Sequence, residues 1–353
     1  MTSNAPHGNA LTELPCAPEA IDEFLSRPPS EVIESMARVK GPVVVLGAGG
    51  KMGLHLSAMA QRALSASGGG GQVTAVSRFS SLRDRDEFTA LGVKTLACDL
   101  GDSQALAGLP DAALVIFMAG AKFGTARAPE LLRRTNVEIP RQVAERYRSA
   151  RIVAFSTGCV YPFVTPDSGG ASEATPLDPA PGDYAASCIE RERAFAEAAQ
   201  RHGTPVALVR LNYSVEFRYG ILVDIALKVL RGEPLDVSMG YVNVIWQPDA
   251  IAHSLRTWEL ARSPAEPINV TGAEILSVRA LAEEFGRLLD RPVIVEGREA
   301  PTAWLNDSSR SHRLFGPPPT SVADMQRWIA AWLRQGGSTW DKPTGFERRD
   351  GKF

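Results

Sequence analysis

Cysteine is scarce in this chain and carries no pattern. Its 353 residues include four, Cys16, Cys98, Cys159 and Cys188, and no Cys-x-x-Cys pair. Such spacing builds neither a zinc site nor a disulfide framework, so reduced thiols and no metal are expected. An excess of charge is lacking too. Lysine plus arginine number 38 and aspartate plus glutamate 40, a net of −2. That balance excludes the strongly basic surface of a nucleic-acid or anionic-membrane binder. Long apolar runs are absent, since none approaches the ~20 residues that a membrane span needs. The opening residues, Met1 to Gly8, show no basic stretch leading into an apolar one. No secretory signal and a cytoplasmic location are therefore expected.

What is present is an alternation. Short runs rich in β-branched residues lie at Val43–Leu46, Val73–Ser77, Val93–Cys98, Leu114–Ala119, Arg151–Ser156 and Val206–Leu211, with helical patterns between them. This rhythm predicts an α/β fold with a parallel sheet and helices on both faces. Beyond Asn212 the rhythm changes. Helices are expected over Ile221–Leu230, Ser277–Leu289 and Met325–Leu333, and short strands over Pro267–Thr271 and Pro292–Glu296.

The most informative stretch is Val43 to Gly53, four apolar residues ending in a turn with glycines at 47, 49, 50 and 53. A helix-compatible run, Leu54 to Leu64, follows. Strand, tight glycine turn and helix in that order are how a doubly wound, Rossmann-type sheet grips a dinucleotide. Gly47 permits the sharp turn. Gly49 or Gly50 lets the backbone approach a pyrophosphate with no Cβ in the way, and Gly53 lets the helix pack close to the strand. Lys51 and Met52 then sit at the helix N-terminus, whose unpaired N–H groups and positive dipole end face the phosphates.

Several further segments match one family in order and spacing. They are Val45–Gly53, Cys98-Asp99-Leu100, Met118-Ala119-Gly120-Ala121-Lys122, Asn136-Val137, Phe155-Ser156-Thr157-Gly158-Cys159-Val160-Tyr161, an isolated Tyr184, and Pro267–Gly272 followed by Leu276–Val278. From about residue 43 to about 335 the chain resembles the extended short-chain dehydrogenase/reductases, the group that includes nucleotide-sugar epimerases and dehydratases. The resemblance implies a Rossmann-type domain over 41–212, joined by 243–272. It also implies a smaller C-terminal α+β substrate lobe from 213–242 and 273–335. A helical extension, 1–40, precedes them and a loop-like tail, 336–353, follows. The extension is expected to pack on the main body or on a second subunit, and the same resemblance implies a homodimer.

The resemblance also implies site roles. Asp99, Leu100, Ala119, Gly120 and Asn136 would contact the cofactor together with the glycine turn. Tyr184 would shuttle a proton to or from a substrate hydroxyl while hydride moves on the nicotinamide. Thr157 would hydrogen-bond the same oxygen, with Ser156 a second hydroxyl nearby. The family's lysine, one helical turn after the tyrosine, binds the nicotinamide ribose and lowers the tyrosine pKa. Here the stretch reads Tyr184-Ala185-Ala186-Ser187-Cys188, so Cys188 takes the i+4 place. A neutral thiol cannot stabilise a phenolate by charge. Three readings follow: another cation helps, with Lys122 the candidate; Cys188 itself acts as acid, base or nucleophile; or the protein is a non-catalytic NAD(P)-binding sensor.

At the end of the second strand stand Ser77-Arg78 in place of the acidic residue that would bond the adenosine ribose hydroxyls of NAD. A hydroxyl and a guanidinium suit a 2′-phosphate, so NADP is preferred to NAD. The substrate clues are weaker. Thr157 precedes Gly158-Cys159 where the 4,6-dehydratases carry Asp-Glu, so elimination chemistry lacks its acid and base. Arg210 to Glu216 keeps the family's arginine and lacks its Gly-Pro, which weighs against a nucleotide diphosphate substrate. Asn212, Tyr213, Arg218, Asn243, Gln247 and His312 are polar candidates for a carbohydrate-like substrate. Trp246 would either stack on a sugar ring or fill the core between the lobes.

Overall fold

The structure is a computed structural model, and it describes residues 14–79, 82–122, 129–177 and 182–351. The first thirteen residues of the expected N-terminal extension lie outside the described part. Seven parallel strands form the central sheet: β1 Val43–Leu46, β2 Val73–Ser77, β3 Lys94–Ala97, β4 Leu114–Phe117, β5 Arg151–Thr157, β6 Val206–Leu211 and β7 Glu266–Val270. Their spatial order is β7-β6-β5-β4-β1-β2-β3. The chain runs outward from β1 to β3 and then returns to the other side of β1, where β4 pairs with it in register Leu46↔Phe117. Doubly wound sheets open a ligand crevice at such a reversal, beyond the carboxyl ends of the strands.

Period-two alternation explains why β1 and β4 read as unbroken apolar runs. Val43, Val45, Leu114 and Ile116 face one layer, where they meet Leu56, Met59 and Ala63 of the helix Gly53–Ala66. Val44, Leu46, Val115 and Phe117 face the other, against Val143, Phe195 and Ala199. Those partners come from the helices Ile139–Arg146 and Asp183–His202. The second lobe has its own core, built from the helices Ile221–Arg231, Val278–Leu289 and Val322–Arg334.

The segment before β1 packs on the main body of the same chain. It holds two short helices, Ile21–Phe24 and Ser30–Met36. Ile21 and Leu25 are buried in the core of the second lobe, Val32 and Met36 in that of the sheet. A polar chain fastens it. His55 Nε2 lies 2.9 Å from Asp22 Oδ1, Gln247 Nε2 lies 2.6 Å from His55 Nδ1, and Arg218 Nη2 donates to Asp22 Oδ1 at 2.8 Å. The tail is irregular, as its composition suggests, yet anchored. Phe346 is buried in the second lobe and Arg349 donates to the Thr302 carbonyl and hydroxyl.

Candidate active site

Among the described residues, two of the cavities at the carboxyl ends of the strands share two loops as walls. One loop is the glycine turn, 47–53. The other follows β4, 118–122. The first cavity, about 350 Å³, is lined by Gly47, Gly49 and Gly50 on one side and by Ser77, Arg78, Asp99 and Leu100 on another, with Ala119 and Gly120 between. The second, about 220 Å³, gathers Lys51, Met52, Lys122, Thr157, Tyr184 and Tyr213.

Steric facts explain the turn. Gly47 has φ +81° and a Cβ there would fall on the backbone of Ala119, so β4's loop can lie this close only against glycine. A Cβ on Gly53 would overlap the Ala48 carbonyl. Gly50 is different, because a Cβ there would meet nothing nearer than the Gly47 carbonyl oxygen, at 3.6 Å. The fold itself does not need a glycine at 50. This cradle fits a dinucleotide, with Ser77 and Arg78 at one end and no acidic side chain following β2. Asp99 spends one carboxylate oxygen on the Gly101 amide and pairs through the other with Arg134, 3.3 Å away. Arg134 lines the same cavity and is a second guanidinium near Arg78 that sequence reading passed over.

The loop after β4 is held by Asn136. Its amide accepts from the Ala121 N–H and donates to the Ala121 carbonyl, both at 2.9 Å, and donates to Ser187 Oγ at 2.9 Å. A one-turn π-helix, Arg134–Glu138, turns that side chain inward. Asn136 is fully buried and its capacity is used within the protein, so it positions the loop and does not line the cofactor cavity.

Tyr184 lies in the first turn of the helix Asp183–His202, which starts after Gly182 with φ +124°. Its phenol and the Cys188 thiol are hydrogen-bond partners. Burial pushes the phenol well above its ordinary value near 10, and the Cys188 thiol is pushed up by burial as well. Burial thus favours the protonated form of both groups. Lys122 reaches the site from the opposite side, its Nζ 5.8 Å from the Tyr184 ring centre and 3.5 Å from the Thr344 carbonyl oxygen. Burial lowers its pKa. Arg191, two turns beyond Tyr184, was not anticipated. It is buried, donates to Asn136 Oδ1 at 2.6 Å and to the Phe155 carbonyl at 3.2 Å, and is the cation that pulls down the pKa of both Tyr184 and Cys188. The absence of a Cβ on Gly120 gives it room, since such an atom would lie 2.7 Å from Arg191 Nη2.

The two candidate hydroxyls separate. Thr157 Oγ1 lies on the cavity and accepts from the Cys159 N–H at 3.2 Å. Ser156 Oγ also touches the cavity lining, yet it donates to buried Glu192 at 2.6 Å, and Glu192 pairs with Arg210 at 2.7 Å. Among the substrate candidates, Asn212, Tyr213 and Gln247 line the second cavity. Tyr213 does so from a left-handed backbone, φ +42°. Trp246 does not. It is 2% exposed and packs edge-on against Phe217 in the second lobe, so it is core, not a stacking platform. Asn243 bonds the Asn306 amide and the Glu274 carbonyl, His312 lies 3.0 Å from the Thr271 carbonyl oxygen, and Arg218 is held by Asp22 and Glu216. None of these three joins the cavity, because each meets its polar partner inside the fold. The tail does join it, through Thr344.

A family model, the NAD dependent epimerase/dehydratase family, matches residues 43–220. The chain belongs to that family, and the protein is an NAD(P)-dependent enzyme with the oxidoreductase or epimerase chemistry of its class. No curated protein matches in sequence. Solved structures share the fold. Pal from Bacillus thuringiensis is 18% identical with a TM-score of 0.70, over 83% of this chain and 99% of that one. The UDP-glucuronic acid 4-epimerase from Bacillus cereus, in complex with NAD, is 17% identical with a TM-score of 0.69, over 83% and 99%. The UDP-glucose 4-epimerase of Thermotoga maritima is 16% identical with a TM-score of 0.68, over 84% and 99%.

Among the described residues no helix is long and apolar enough to cross a membrane, and no cluster of side chains could hold a metal ion.

Proposed function

We propose that this protein is an NADP-dependent oxidoreductase or epimerase that acts on a small carbohydrate-like hydroxy or keto compound. The observation that carries the reading is the meeting of Tyr184, Thr157 and Lys122 on one cavity walled by the two loops that also frame the dinucleotide cradle. When bound, the nicotinamide supplies hydride acceptance and return. Tyr184 Oη takes the substrate's hydroxyl proton during oxidation and gives a proton back during reduction. Thr157 Oγ1 hydrogen-bonds the same substrate oxygen and orients it. Lys122 brings an ammonium to the tyrosine from the loop after β4, in place of one at position 188. Ser77, Arg78 and Arg134 favour NADP, because guanidinium groups bond a 2′-phosphate in bidentate fashion. The solved structures of similar fold that hold NAD make NAD the alternative.

The test is calorimetry with NADP and NAD on wild-type protein and on Tyr184→Phe. Cofactor affinity is expected to survive the substitution, with NADP bound more tightly than NAD. Turnover is expected to fall by about 10²–10⁴-fold, the usual worth of a positioned acid–base group. A wild-type protein that binds neither cofactor would overturn the proposal.

A further inference from the structure

A chain of hydrogen bonds runs from the N-terminal segment to the second cavity. Asp22, in the short helix Ile21–Phe24, has its Oδ1 2.9 Å from Nε2 of His55. His55, on the helix after the glycine turn, has its Nδ1 2.6 Å from Nε2 of Gln247. Gln247 opens the helix Gln247–Arg256 and lines the cavity together with Thr157, Tyr184 and Tyr213. His55 is 1% exposed and Gln247 3%, so bulk water does not compete for the bond between them.

The direction of each bond follows from the outer end of the chain. Asp22 is held far below the ordinary carboxylate range. The His55 hydrogen bond is the largest cause, and Arg218, donating to the same oxygen at 2.8 Å, adds to it against the cost of burial. An ionised carboxylate only accepts, so the proton of the pair is on His55 Nε2. In a neutral imidazole the other nitrogen is then an acceptor. Gln247 must turn its NH₂ group to Nδ1, which is the orientation in the structure. Its carbonyl oxygen is what remains. Among the described residues Gln247 makes no second side-chain hydrogen bond, and its Oε1 is not one of the polar atoms sealed in the interior without a partner. That oxygen therefore keeps accessible surface, and the space Gln247 lines is the cavity. One histidine tautomer thus fixes an acceptor on the cavity wall. The opposite tautomer, or a doubly protonated ring, would reverse the amide and put N–H donors there instead.

We infer that Gln247 is a specificity-determining residue whose Oε1 accepts a hydrogen bond from a substrate hydroxyl, and that His55 and Asp22 are positioning residues that set this polarity. The inference rests on the second cavity being the reaction site. It deepens that reading by naming a group the substrate presents at Gln247, a hydroxyl that donates. An ether oxygen or a fluorine in the same place only accepts, and leaves a buried carbonyl unmet. The N-terminal segment thereby takes part in the site through two side chains of the relay, without needing to touch the substrate.

Two measurements test this. The first is NMR on the full chain carrying nitrogen-15-labelled histidine, in which His55 is the one of five histidines whose signal is lost in His55→Asn. At neutral pH His55 is expected with a protonated Nε2 and a bare Nδ1, and this signature should be lost in Asp22→Ala. A protonated Nδ1 in wild-type protein overturns the inference, whatever the variants do. A signature unchanged in Asp22→Ala overturns the positioning role of Asp22. The second measurement is calorimetry on the full chain saturated with NADP, or with NAD if that binds more tightly. The probes are glucose, galactose, mannose and xylose, each with its deoxyfluoro analogues. At least one sugar is expected to lose about 10-fold in affinity when a single hydroxyl is replaced by fluorine. That penalty should vanish in Gln247→Met and shrink in Asp22→Ala. Folding of each variant is read from its cofactor affinity. No sugar binding to the loaded wild-type protein, or fluorine penalties that all survive in Gln247→Met, overturns the inference while the proposed function stands. Failure of wild-type protein to bind either cofactor sinks the proposed function itself.

Discussion

At Tyr184 two effects oppose each other. Burial raises the phenol pKa well above 10, and the permanent charge of Arg191 lowers it. Burial is the larger effect, so the group is a phenol throughout the neutral range. A phenol can give its proton at once, whereas accepting one requires ionisation first. Oxidation of substrate should therefore speed up about tenfold per pH unit between pH 7 and 9, and reduction should stay nearly flat. Initial rates in the two directions across that range check the sign, and a flat oxidation profile would remove Tyr184 as the base. The same geometry changes what a lysine at 188 would do. Cys188 is fully buried and Arg191 lies close by on the same helix. Cys188→Lys should add a further cation to a dry site that already holds Arg191 and Lys122, and lower stability by on the order of 3 kcal/mol, without raising activity. Denaturant melts read the first effect and turnover the second.

Among the elements, the glycine turn separates the needs of the fold from those of the ligand. Gly53→Ala forces a Cβ into the Ala48 carbonyl. It should cost about 1–3 kcal/mol of stability, the range for overpacking. Gly50→Ala meets ordinary contact only. It should leave the melting temperature unchanged and, if the first cavity holds the cofactor diphosphate, weaken cofactor binding at least tenfold, because Gly50 lines that cavity. Thermal melts and calorimetry on the two variants distinguish these outcomes. The helix Asp183–His202 shows how one element serves several purposes. Tyr184, Ser187, Cys188, Arg191 and Glu192 stand on it at helical spacings. They carry respectively the cavity-lining phenol, the Asn136 contact, the thiol, the buried charge and the bond to β6.

At the scale of the molecule, buried polar chains tie the sheet to the second lobe. Arg210 on β6 bonds Glu192 and donates to the Tyr161 hydroxyl at 2.7 Å, and Tyr161 donates to Asn269 on β7 at 2.9 Å. Asn269 then donates to the carbonyls of Ala171 and Asp307. Removing one partner of a buried pair leaves the other charge uncompensated. Glu192→Gln should therefore cost about 3–5 kcal/mol, measured by urea or guanidinium unfolding. A loss under 1 kcal/mol would show that water or another acceptor takes over at Arg210. The Asp22 to Arg218 link does a similar job for the N-terminal segment, joining the helix after the glycine turn to the wall of the second lobe.

Local signals made the sheet and the cofactor cradle legible. A β-branched run bounded by glycines states its own conformation, and the turn Gly47 to Gly53 works through atoms near in sequence or on the adjoining loop. The family pattern placed Tyr184 and Thr157 for the same reason, since each sits at a fixed step from a strand or helix end. Trp246, Asn243 and His312 could not be assigned this way, because whether a polar or aromatic side chain faces a cavity or a core partner depends on residues far along the chain. Only the folded molecule decided that Lys51 and Lys122 share a cavity, that Arg191 reaches up under Gly120, and that Thr344 joins the cavity lining. Those meetings join segments 70 or more residues apart, and no periodicity or spacing within one segment encodes them.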